Sequence, residues 1–71
     1  MPPQFYPCEV DVWDEDGERE RISVGNVRAG NVTMATEYAI AIAEDRYPTA
    51  TKIKIASVTD NYVMRKFFPG L

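Results

Sequence analysis

The chain has 71 residues, a net charge of −3, 45% hydrophobic and 27% charged residues, a single cysteine and no histidine. This length is that of one domain (residues 1–71) near the lower limit for folding without a metal or disulfide, and the composition argues against disorder. Cys8 alone excludes an internal disulfide, and the missing histidine removes the commonest general base and the commonest transition-metal ligand together.

Pro2, Pro3 and Pro7 keep the first residues extended and cannot donate to a ladder, which suits the approach to an edge strand. Residues 8–13 then alternate, with Cys8, Val10 and Val12 on one face and Glu9, Asp11 and Trp13 on the other. Asp14-Glu15-Asp16-Gly17-Glu18 reads as a hairpin turn, Gly17 supplying the positive φ that such loops need. A return strand over residues 19–24 directs Ile22 and Val24 inward and Arg19, Arg21 and Ser23 outward. Gly25 and Asn26 weaken that strand, and Val27 and Ala29 lead into a helix with Asn31 as its N-cap, or Thr33 as the alternative.

Met34, Ala35, Tyr38, Ala39, Ile42 and Ala43 gather into one helical stripe, opposite Thr33, Glu37 and Glu44. Ile40 projects on the polar side, where a loop or a partner would cover it. Pro48 stops the helix soon after Tyr47. Residues 52–58 form a third strand with Ile53 and Ile55 inward and Lys52 and Lys54 outward. Thr59-Asp60-Asn61 is a turn, and residues 62–68 read as a fourth strand. The predicted fold is α+β, in the order ββαββ, with the helix on one face of an antiparallel sheet.

Catalytic and metal chemistry find little support in these residues. Cys8 falls on the inward face, where a thiol is usually inert. Asp14 to Gly17 faintly resembles a calcium loop, but aligning Gly17 with the loop glycine puts Val12 and Ser23 at the first and last ligand positions. Asp60 with Glu37 or Glu44 has no spacing that marks an acid–base pair. The expectation is a protein that is not an enzyme and takes no cofactor or metal. No apolar run reaches the roughly 20 residues of a membrane span. The opening MPPQFYP also lacks a basic-then-apolar signal, so a cytoplasmic location without a membrane partner is expected.

Two interaction surfaces remain. Residues 1–20 carry seven acids and one base, whereas residues 46–71 carry five bases and one acid. The first surface pairs Trp13, as an aromatic anchor extended by Tyr62, with the acidic tip Asp14, Glu15, Asp16 and Glu18. It suits a protein partner whose basic groove normally receives nucleic acid. The second is the sheet face away from the helix, where Arg19, Arg21, Lys52 and Lys54, joined by Arg65 or Lys66, lie around Trp13 and would hold nucleic acid directly. Glu9 and Asp11 share that face, and the sequence pI near 4.7 is low for a dedicated binder. Ile40, Tyr62, Phe67 and Phe68 offer a third course, self-association as a homo-oligomer.

The alternating hairpin, the Val27-x-Ala29-x-Asn31 lead-in and the helix carrying Ala35, Ala39 and Ala43 inside resemble the very small proteins encoded by phages and mobile elements. In outline, over residues 8–66, the pattern is similar to several anti-CRISPR proteins. The resemblance implies a stoichiometric inhibitor of a host nucleic-acid-handling complex, and a structural phage component stays open beside self-association as a third class. It rests on architecture and transfers no functional residue.

Overall fold

The computed structural model describes residues 4–59, which form β1 (Gln4–Trp13), β2 (Arg19–Ala29), α1 (Val32–Arg46) and β3 (Lys52–Val58). The strands make one antiparallel sheet in the order β2-β1-β3, covered on one face by α1, an α+β arrangement. The described order is thus ββαβ, and the fourth strand expected at residues 62–68 lies outside the described residues.

The first strand is the centre of the sheet and not its edge, and it begins at Gln4, ahead of the expected Cys8. Pro7 is tolerated there because its carbonyl accepts from the Thr59 N–H at 2.9 Å, beyond the end of β3. The N–H that proline lacks would point the same way, so only the reciprocal bond of this terminal pair, past the end of β3, is forgone.

A second departure concerns β2, which runs to Ala29 and does not stop at Val24. Its apolar residues change phase midway: Ile22 and Val24 are even, Val27 and Ala29 odd. A bulge absorbs the change, since Glu9 pairs with Ser23 but Cys8 pairs with Gly25, leaving one extra residue on β2. Gly25 adopts φ +82°, the left-handed conformation this kind of bulge requires. Val24, Val27 and Ala29 consequently all face the helix and are buried.

The same event recurs on the other flank. Glu9 pairs with Ser57 but Val10 pairs with Ile55, so Ala56 is extra and the inward set passes from Ile53 and Ile55 to Val58. Among the described residues, chain neighbours aside, nothing lies within 4 Å of where a Cβ at Gly25 would stand. Gly25→Ala should therefore cost only the backbone strain of the left-handed region, about 1–2 kcal/mol. Urea unfolding should show that loss with an unchanged denaturant slope; a slope change would mean the bulge had moved.

The core is built from Tyr6, Cys8, Val10 and Val12 of β1, Val24, Val27 and Ala29 of β2, and Ala35, Ala39 and Ala43 of α1. Asn31 caps the helix as expected, its side-chain oxygen accepting from the Met34 N–H at 2.8 Å. The three alanines sit at i, i+4 and i+8 and are wholly buried, which brings the helix axis close to the sheet. That closeness corrects one expectation: Tyr38 is 42% exposed, because a phenol ring beside Ala39 has no room between the layers. Ile40 is half-buried rather than exposed, and it borders a hollow of about 210 Å³ with Glu44, Ala50, Thr51, Lys52 and Ile53.

Candidate functional site

Strand register decides which side chains share the face opposite the helix. Directly paired residues point the same way, so Trp13 lies in a row with Arg19 on β2 and Lys52 on β3. Asp11 lies in the next row with Arg21 and Lys54, and Glu9 in the row after it with Ser23 and Ser57. Beyond the bulges, Pro7 pairs with Asn26 and Phe5 with Arg28. The four bases expected here, Arg19, Arg21, Lys52 and Lys54, are therefore brought together around Trp13.

Arg28 and Phe5 belong to the same face, and sequence reasoning misses both. Their signal is the phase change at Gly25, which carries β2 onward through Arg28. Arg65, Lys66 and Tyr62 lie outside the described residues.

The fold thus sorts charge by surface. Five of the six described bases (Arg19, Arg21, Arg28, Lys52 and Lys54) stand on the open face with only two acids, Glu9 and Asp11. The remaining described acids lie at the hairpin tip, at the helix-side end of β2 or on the outer surface of α1. A chain that is acidic as a whole consequently presents one cationic face.

Individual contacts refine this face. Asp11 is largely buried and accepts from Arg21 Nε at 2.9 Å and from Arg21 Nη2 at 3.3 Å. That hydrogen-bonded guanidinium holds the Asp11 carboxyl below its ordinary range, with a smaller opposing contribution from burial. Asp11 is therefore neutralised within the face, and Arg21 is spoken for. Glu9 is exposed and accepts from Ser57 Oγ at a long 3.4 Å. Arg19, Arg28 and Lys54 are exposed and make no ion pair with any described residue.

Trp13 is half-buried, with the Lys52 ammonium 4.9 Å from its ring centroid. It is thus held in part by its own neighbour, the lysine across the sheet.

The acidic tip is ordered by one of its own members. Asp14 Oδ1 accepts from the Asp16 and Glu18 N–H groups, both at 2.9 Å, while the Asp14 N–H donates to the Glu18 carbonyl at 2.9 Å. Thr51 donates from its hydroxyl to the Asp14 carbonyl at 3.1 Å and from its N–H to the Trp13 carbonyl at 2.9 Å, tying the tip to the start of β3. Asp14 is consequently a turn-forming residue, whereas Glu15, Asp16 and Glu18 are exposed and make no ion pair among the described residues.

Cys8 is buried and donates to the Tyr6 carbonyl at 3.2 Å, and burial pushes its thiol up, the behaviour of a core filler. No helix of the described residues is long and apolar enough to cross a membrane. No family model, no curated protein and no solved structure matches the chain.

Proposed function

We propose that the protein is a non-enzymatic binding module whose open sheet face takes a nucleic-acid strand. The single observation that carries this reading is the register, which gathers four bases around Trp13, with Arg28 farther along the same face, on a side that no described element covers. Phosphates are held by cations with little geometric demand, and an aromatic beside them accepts a base. The low pI of the whole chain is no obstacle, because most of the described acids stand on other surfaces. They also help to orient the module, repelling the polymer from the hairpin tip.

Fluorescence anisotropy with a labelled oligonucleotide tests this directly. Saturable binding should appear at about 50 mM salt and weaken steeply by about 200 mM, as counterion release requires. Absence of saturable binding at the lower salt would sink the reading.

A second reading is favoured by the ordered tip. There the module is a phage-type inhibitor of the anti-CRISPR kind, presenting Glu15, Asp16 and Glu18 to the basic groove of a nucleic-acid-handling protein. Asp14 fixes the turn so that its neighbours are presented without a large ordering cost. A protein partner retained after nuclease treatment, and lost when Glu15 and Asp16 become lysine, would support that reading over the first.

A further inference from the structure

Resting on the nucleic-acid reading of the open face, we propose that its ligand is a single strand and not a duplex. One base stacks on Trp13, and Lys52 moves from the ring to a phosphate.

Charge is unevenly distributed across the width of the sheet. The cations stand on the outer strands, Arg19, Arg21 and Arg28 on β2 and Lys52 and Lys54 on β3. The central strand contributes Trp13 and the carboxylates of Asp11 and Glu9. With neighbouring strands about 4.8 Å apart, the two cationic edges are roughly 10 Å from each other.

A duplex laid on this surface would meet it with phosphates alone. Its bases are closed off by pairing and stacking, so Trp13 would have no partner, and Glu9 would face a like charge. A single strand suits the same surface. Its phosphates can follow one cationic edge while its bases turn toward the centre. There an aromatic face accepts a base face, and a carboxylate accepts from a base N–H.

Spacing and contact agree with that placement. Lys52 and Lys54 are two residues apart along β3, a step of about 7 Å, which is close to one backbone step of an extended strand. Arg21 is held by Asp11 and so stays in place, whereas Arg19 and Lys54 have no ion pair among the described residues. Lys52 over Trp13 covers the ring in the unbound protein. An exposed cation–π contact is weak enough to be exchanged for a phosphate, and that exchange bares the ring for a base.

Trp13 is the only tryptophan, so its emission reports on this site alone. The full chain is titrated with an oligothymidylate of about 12 nucleotides, and separately with a mixed-sequence duplex carrying a similar number of phosphates. The oligothymidylate should quench Trp13 emission saturably and bind at least about ten-fold tighter than the duplex. Trp13→Leu, checked for folding by circular dichroism and titrated by anisotropy of the labelled strands, should lose about ten-fold in single-strand affinity and leave duplex binding unchanged.

Equal or tighter duplex binding would overturn the inference, as would single-strand binding with no change in emission, and both would leave the broader reading of the face standing. Binding of neither probe would overturn both.

Discussion

Replacing Ala39 by leucine should lower stability by about 2–3 kcal/mol and drop the midpoint of thermal unfolding by roughly 10–20 °C. Ala39 is wholly buried at the centre of the α1 contact, flanked by Ala35 and Ala43 one turn away on either side. Opposite it lies the β1 core, in which Val10 is also wholly buried. Adding three carbons at this point can be met only by lifting the helix or forcing side chains off their rotamers.

A domain of this size has little stability to lose, on the order of 5 kcal/mol in all. The substitution thus approaches the limit of folding, whereas Tyr38→Ala, one position away but 42% exposed, should change stability by less than about 1 kcal/mol. Calorimetry on both variants separates the two. A small loss at Ala39 would mean that the helix rides farther from the sheet than the alanine contact indicates.

The contrast between these neighbours marks how far the sequence carries. The helix, its Asn31 cap, the hairpin turn at Gly17 and the third strand at Lys52–Val58 are all legible, because each rests on local periodicity or a local hydrogen bond. Tyr38 reads as inward because helical periodicity allots it an angle but not the interlayer distance, and that distance is set by alanines acting together. The place of β1 in the middle is hidden for a different reason. Strand order comes from pairing partners far apart in the chain, such as Trp13 with Lys52, on which local alternation is silent.

The bulges lie between these cases. The step from Ile22 and Val24 to Val27 and Ala29 is visible in the sequence, but only the glycine at φ +82° shows it to be a bulge rather than the end of a strand. Reading it as an end hides Arg28 from the site. Asp14 illustrates a related blind spot, since composition counts it among the tip acids while its carboxylate is committed to two backbone amides.

The largest effect on binding should come from reversing two of the bases that the fold leaves unpaired. Arg19→Glu combined with Lys54→Glu should weaken oligonucleotide binding on the order of 100-fold at low salt. It should also flatten the log–log salt dependence by roughly 1.4, because two phosphates of a single strand would no longer be neutralised. The fold should survive, because both side chains are exposed and neither has an ion pair among the described residues.

The local penalties are at residue 54, where a glutamate would stand opposite Asp11 at a cost of up to about 1 kcal/mol, and at residue 19, whose positive charge helps to hold Asp11 ionised. Arg21, already bonded to Asp11 at 2.9 Å, offsets part of the first. Glu15→Lys with Asp16→Lys makes the opposite change at the tip while sparing the Asp14 turn, and should strengthen oligonucleotide binding several-fold by removing repulsion near Trp13. Titration of both variants against the same labelled strand tests opposite signs on one fold. If the tip variant loses a protein partner and gains nothing on nucleic acid, the acidic surface is the functional one, and the cationic face only balances the charge of the chain.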